Sequence, residues 1–420
     1  MTGSTNRLWH PFADMAAIVR DGEFVLARGE GPYVYDEAGR RYLDATAGLW
    51  FCNVGYGRAE IATAVEQQLR EMPAYSTFGD FANRPAIELA EAVSHHAPIP
   101  GSAVFFTNGG SDSVDTAIKL ARRYWQVLGQ PERTAVITRE HAYHGMHVGG
   151  TSVAGIDANR SGYGELLGGV ERVPWDDAQA VAKAVDAVGA ENVAAFLCEP
   201  VIGAGGVFFP PECYLAEVRE ICRERGVLFV SDEVITGFGR AGDWFASGRF
   251  GLEPDLVLCA KGLTSGYVPM GAVIVAPQVA EPFWDGRAGV WRHGYTYSGH
   301  AAAAAAGLAN LRLLEAERLP ERARELEGVL AQSLGTLTAS PLVSEVRAGT
   351  GLLAAVQLDR PALAADPALP ARAVAELRRQ GILSRALASG GLQVSPALVI
   401  DETFIDELTA GIAATLESLG

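Results

Sequence analysis

Cysteine is scarce in this 420-residue chain: five residues, Cys52, Cys198, Cys213, Cys222 and Cys259, an odd number with no CxxC pair. That argues against a disulfide framework and reads as reduced thiols in a cytoplasmic protein. Positive charge is also short. Lys and Arg number 34 against 50 Asp and Glu, a formal net charge of −16, and no basic patch stands out to neutralise phosphates, so a nucleic-acid partner is not expected. No uninterrupted apolar run reaches the ~18 to 20 residues of a membrane helix; the Ala301–Ala306 run reads as a small-residue helix patch. The start, MTGSTNRLWHPFADM, shows no basic segment followed by an apolar core, so no signal peptide is evident.

Glycine, by contrast, is abundant. The 48 glycines cluster in runs such as NGGS and GAGG, which implies tight backbone turns of the kind found at phosphate sites. The length calls for two domains, or one large α/β body with an appendage. Residues 24–46 alternate, with turn signals at Gly31 and DEAG, and read as a small antiparallel meander; 58–70 read as an amphipathic helix. Short apolar strands then alternate with helices. The strands are AVFFTN (103–108), TAVITR (134–139), VAAFLCEP (193–200), VLFVSDEV (227–234), LVLCAKG (256–262) and GAVIVAP (271–277); the helices are 111–127, 176–189 and 211–225. This alternation predicts a mainly parallel sheet covered on both faces. From about residue 300 two long helices (300–317, 319–337), a strand in GTGLLAAVQLD, a helix near 370–380, and ILSRAL and LQVSPALV suggest an α+β part that packs with the meander. The Pro/Ala stretch 361–371 reads as a short surface loop.

Ligands of open parallel sheets sit beyond the carboxyl ends of the strands. Here those ends offer Thr107-Asn108-Gly109-Gly110-Ser111, Glu199, Asp232-Glu233 and Lys261. Gly109 and Gly110 permit close backbone approach, and Ser111 opens a helix whose N–H groups suit a phosphate, although a plain Ser N-cap would look the same. Lys261 closes an apolar run; it is either a desolvated amine with a lowered pKa or a lysine reaching into water at a strand end. Asp232 needs a cationic or N–H partner, either an arginine such as Arg240 or a protonated ring nitrogen. His141, His144 and His147 are spaced i, i+3, i+6 in a glycine-rich loop, which does not put three ligands on one face, so no metal is expected. Tyr143 either packs or stacks on a flat ring. GFGRAG (237–242) matches GxGxxG, but no clear helix follows it.

Together, TNGGSDSVDTAIKLAR, AYHG, CEPVIGAGGVFFPP, SDEVITGFGR, CAKGLTSGYVPMGAV and YTYSGH resemble, in order, the motifs of the class III pyridoxal-phosphate aminotransferases, and GLWFCNVGYG (48–57) resembles the ω-aminotransferase branch. The resemblance runs from about Trp9 to the C-terminus. It implies a fold type I α/β enzyme with a mainly parallel sheet in a large coenzyme-binding domain (58–305), and a smaller α+β domain made from both termini (1–57 and 306–420). It implies that Lys261 bonds the coenzyme and serves as general base and acid of the proton shift. Asp232 would keep the pyridine nitrogen protonated. Gly110 and Ser111 would hold the phosphate, Tyr143 and Val234 would flank the ring, and His144 and Glu199 lie in cofactor-binding motifs. Thr296 would reach the phosphate of a neighbouring subunit, so a homodimer is implied, with a tetramer left open. Trp50, with Tyr143, would shape the substrate pocket, and Arg385 would pair with a substrate carboxylate. Three departures stand out: Ala204 where ornithine and GABA enzymes carry glutamate, Gly109 where serine is common, and Tyr295 where phenylalanine is usual.

The expected activity is transfer of an amino group from an ω-amino acid such as β-alanine, or from a primary amine, to pyruvate by a ping-pong mechanism. A decarboxylase-transaminase or aminomutase on the same fold is the alternative, and an NAD(P)-dependent oxidoreductase using GFGRAG a more distant one.

Overall fold

The computed structural model describes residues 7–420. Near the N-terminus, β1 (Leu26–Glu30), β2 (Tyr33–Asp36) and β3 (Arg41–Asp44) form the expected antiparallel meander. The central sheet has seven strands: β4 (Ala103–Thr107), β5 (Ala135–Arg139), β6 (Val170–Val173), β7 (Val193–Cys198), β8 (Leu228–Asp232), β9 (Leu256–Cys259) and β10 (Gly271–Val275), in the order β4-β10-β9-β8-β7-β5-β6. All adjacent pairs from β9 to β6 are parallel; β10 runs antiparallel to both its neighbours. Strands buried on both faces have no polar side to show, which is why they read as continuous apolar runs. Successive residues nevertheless alternate between two cores. Phe196 and Phe229 join Val181, Val185, Leu215 and Val218 on one face. Leu197 and Val230 join Val114, Ala117 and Ala121 of the helix Gly110–Val127 on the other.

The C-terminal strands are β11 (Val343–Thr350), β12 (Leu353–Leu358), β13 (Ile382–Leu383) and β14 (Gly391–Val394). β11, β12 and β14 make an antiparallel sheet. β13 extends the meander, pairing parallel to β3 through Ile382–Leu43 and Leu383–Asp44. Residues 382 and 383 therefore deliver the following turn, with Arg385, beside the segment that carries Trp50.

The helices expected at 58–70, 111–127, 176–189 and 211–225 stand at Ala59–Glu71, Gly110–Val127, Ala178–Val188 and Tyr214–Glu224. Residues 361–371 are not a loop. Helices Arg360–Ala365 and Leu369–Arg379 cover most of the stretch, with Pro361 and Pro370 at their first turns, where a missing N–H costs nothing. Asp359 caps the first by accepting from Ala362 N. Helices Arg84–His96 and Glu402–Leu419, and strands β6 and β11, add to the elements legible in the sequence. Among the described residues no helix is long and apolar enough to cross a membrane.

Candidate active site

The carboxyl ends of β4, β7, β8 and β9 meet at a cavity of about 150 Å³ lined by Gly110, Ser111, Tyr143, His144, Glu199, Asp232, Val234 and Lys261, together with Val114, Gly145 and Ile235. Eight residues singled out from the sequence thus converge on one space.

β4 ends in Thr107, and the chain turns through Gly109 into the helix Gly110–Val127. No side chain caps this helix, so its first N–H groups and positive dipole end are left to an anion. Gly110 has a steric reason: a Cβ there would lie 2.8 Å from Val234 Cγ1. Gly109 has none, since its φ of 175° is extended and a Cβ would meet nothing within 4 Å, so the departure from serine is mild. Ser111 Oγ accepts from Met146 N at 3.1 Å, tying the helix start to the His144–Gly145 turn.

Asp232 closes β8 and is 3% exposed. Its Oδ1 accepts from Val234 N at 3.1 Å, and its Oδ2 lies 2.7 Å from Nδ1 of the buried His144. With the carboxylate ionised, His144 donates from Nδ1, leaving Nε2 to accept from Thr138 Oγ1 at 3.4 Å. Arg240 is not the partner of Asp232. It is fully buried elsewhere, donating to Asn53 Oδ1, Leu352 O and Pro396 O, and burial lowers it to about 9. The other two histidines diverge: His141 is exposed, and His147 faces Asp112 at 3.4 Å.

Glu199 follows β7, accepting from Tyr143 N and Gly203 N, both at 2.9 Å. Its burial raises its pKa. Arg139, at the end of β5, is a further site residue that sequence reasoning missed: it is buried and donates to the Glu199 carbonyl; a charged residue closing an apolar strand was the available signal.

Lys261 follows β9 in a left-handed conformation, φ 41°. Burial lowers its ammonium to about 8, more than Asp232 and Glu199 raise it. Lys261 also lines a second cavity of about 730 Å³, with Tyr143, Trp50, Ala204, Arg385, Phe12 and Asn159 among its walls. Arg385 lies over the Trp50 ring at 5.0 Å and Lys261 over the same ring at 5.4 Å. Trp50 holds a left-handed φ of 63°. Asp44 organises its segment, with Oδ2 accepting from Gly48 N at 2.7 Å and Oδ1 from Thr46 N at 2.9 Å. Nothing in RRYLDAT marked Asp44 for this task.

Thr296 is exposed and lies outside both cavities of its own chain. Tyr295 lines neither cavity of its own chain: its hydroxyl donates to Asp112 O at 3.0 Å and lies 3.1 Å from Thr116 Oγ1. GFGRAG is a turn behind β8, with φ 94° at Gly239 and 78° at Gly242 and no helix opening on it, so it is not a dinucleotide site.

These residues fit pyridoxal phosphate. An uncapped helix N-terminus, a buried carboxylate with free lone pairs and a lysine of depressed pKa share one cavity, and Gly110 keeps that space open. Comparison with known proteins agrees. The family model "Aminotransferase class-III" matches residues 16–416. The chain is 40% identical to the putrescine–pyruvate aminotransferase of Pseudomonas aeruginosa, covering 95% of this chain and 91% of that protein. It is 35% identical to the β-alanine–pyruvate aminotransferase of the same organism, covering 98% and 95%. The crystal structure of an amine transaminase from an uncultivated Pseudomonas species in its PLP-bound form superposes with a TM-score of 0.93 at 36% identity, over 100% of both chains. The chain belongs to the class III aminotransferase family. It is a pyridoxal-phosphate-dependent ω-transaminase of fold type I.

Proposed function

We propose that this enzyme takes the amino group of an ω-amino acid such as β-alanine, or of a primary amine, and delivers it to pyruvate in two half-reactions at one site. The relatives named for putrescine and β-alanine with pyruvate support this pairing. The observation that carries it is the placing of Lys261 where the two cavities meet, with Arg385 across the larger one.

When bound, pyridoxal phosphate would supply an electrophilic carbon for the amine and a ring that takes up electrons from the donor's amino-bearing carbon. The helix start at Gly110 and Ser111 binds the phosphate. Asp232 keeps lone pairs free beside those used by Val234 and His144, and with them holds a proton on the ring nitrogen. Tyr143 and Val234 border the ring, and Glu199 fixes the Tyr143 backbone. Lys261 is the coenzyme's attachment point. Once released, its Nζ would take the proton from the donor's amino-bearing carbon and return it to the coenzyme's electrophilic carbon, a task for a neutral amine, the form that burial favours at this lysine.

Arg385 receives the pyruvate carboxylate. Beside the Trp50 ring, its guanidinium turns toward a carboxylate or away from a carboxylate-free amine. Ala204, in the same wall, leaves it without a neutralising glutamate. Arg385→Gln should raise the KM for pyruvate by about 10²-fold while sparing the half-reaction with an aryl-alkyl amine. Equal loss for both would remove Arg385 from the acceptor site.

The exposed Thr296 suits a phosphate contact across a homodimer. The parallel β3–β13 pair suits a small domain of residues 1–57 and 306–420 around a coenzyme-binding domain of 58–305. Cytoplasmic residence accords with five unpaired cysteines.

A further inference from the structure

Arg347 lies in β11, outside both cavities, yet its guanidinium joins the two loops that wall the larger one. Nε donates to Gly206 O at 2.9 Å and Val207 O at 3.1 Å. Nη2 donates to Gly206 O at 2.7 Å, Gln357 Oε1 at 2.8 Å and Ser389 Oγ at 3.3 Å. Nη1 pairs with Glu345, and the group covers the Phe208 ring at 4.7 Å. Its side chain is 10% exposed. Gln357 completes the clamp by donating to Ser389 O at 2.8 Å, and Ala388 N donates to Ala204 O at 3.3 Å. Gly206 makes the closure possible, since a Cβ there would fall 2.6 Å from the Phe208 ring and 2.9 Å from Ser389 Oγ.

The clamped loops are 204–207, which carries Ala204, and 385–390, which carries Arg385. Arg385 has a ring, not a carboxylate, as its neighbour, so its reach into the cavity depends on where its backbone is anchored. We propose that Arg347 is a positioning residue for substrate choice: with the near end of the Arg385 loop held by Gln393 N donating to Arg385 O at 3.0 Å, Arg347 ties the far end, at Ser389, to the 204–207 loop, so that the guanidinium meets a carboxylate by side-chain rotation alone. The inference rests on the acceptor role proposed for Arg385. A bidentate contact tolerates little displacement, and losing the anchor degrades carboxylate capture before anything else.

The test uses the coenzyme-loaded enzyme with Arg347→Ala and Arg347→Lys. Pyruvate is compared with a carboxylate-free aldehyde as acceptor, after loading the amino group from an aryl-alkyl amine. The alanine variant should raise the KM for pyruvate about tenfold, leaving the aldehyde KM and the bleaching rate with amine within about twofold. The lysine variant keeps the charge but not the fork, and should show the same selectivity at smaller size, which covers poor folding of the alanine variant. Equal losses for both acceptors, or an unchanged pyruvate KM in the folded variants, would overturn the role of Arg347. Wild-type enzyme run alongside separates the two readings: its own indifference to pyruvate would overturn the acceptor assignment itself.

Discussion

At the scale of the residue, Lys261 shows burial and charge in opposition. Asp232 and Glu199 favour its ammonium, desolvation disfavours it more, and the group titrates near 8 against 10.5 for free lysine. The fraction of free amine therefore rises with pH up to about 8, and coenzyme capture by the apoprotein should quicken about tenfold per pH unit below that point and level off above it. Stopped-flow absorbance checks this; a flat profile from pH 6 to 9 contradicts it. The same shift bears on stability. Between about pH 8 and 10.5 the unfolded chain binds more protons at this lysine than the folded one, so the apoprotein gains stability as pH rises through that window, and below it bears the full cost. Lys261→Met should remove that dependence in denaturant titrations. His144 bonds Asp232 and lies outside the larger cavity, and we propose that it acts through that carboxylate. His144→Phe should leave the coenzyme bound but lower kcat by about 10-fold or more, with the visible band shifting as the ring nitrogen loses its proton more readily. An unchanged spectrum and rate would make the pair merely structural.

At the scale of the element, the decisive unit is β4 leading into the helix Gly110–Val127. Its start must come close to Val234, and Gly110 permits it. Gly110→Val should weaken coenzyme retention, measured by dialysis, and destabilise the protein by about 1–3 kcal/mol through overpacking; Gly109→Ser, where nothing stands within 4 Å, should do neither. Elements like these were legible because buried parallel strands are apolar throughout and their ends are punctuated by glycine or charge: TNGGS, SDE and CAKG each mark a strand end in the site. What could not be read is set by tertiary context. β6, VERV, is an edge strand with two exposed charges and has no apolar run. Residues 361–371 look like a proline-rich loop until Asp359 and the proline positions are recognised as helix starts. The direction of β10 depends on pairing with β4 and β9, which no local pattern reveals. In the site, Asp44 accepts from backbone N–H groups two and four residues on, as many turn aspartates do, and Arg139 donates to a carbonyl of a distant segment, so neither residue's type and spacing carries much signal.

At the scale of the whole molecule, segments from the N-terminal and C-terminal parts of the chain meet at the larger cavity. The meander brings Trp50, β13 brings Arg385, and the central sheet brings Lys261. Arg240 locks this assembly from beneath, binding Asn53, Leu352 and Pro396 at once. Arg240→Met should cost about 3 kcal/mol of stability by stranding buried acceptors, with a lower urea midpoint; an unchanged midpoint would contradict the arrangement. The exposed apolar residues Phe78 and Val290 share a cleft with Gly294 and Ser298 of the loop that bears Thr296. We propose that one lysine between two cavities serves both an amine and a keto acid. The most direct test is the absorption spectrum of the coenzyme-loaded protein during addition of β-alanine or an aryl-alkyl amine, then pyruvate. The amine should bleach the yellow band and pyruvate should restore it, both effects being lost in Lys261→Ala. A protein whose band ignores every amine, or a Lys261→Ala variant that still cycles, would contradict it.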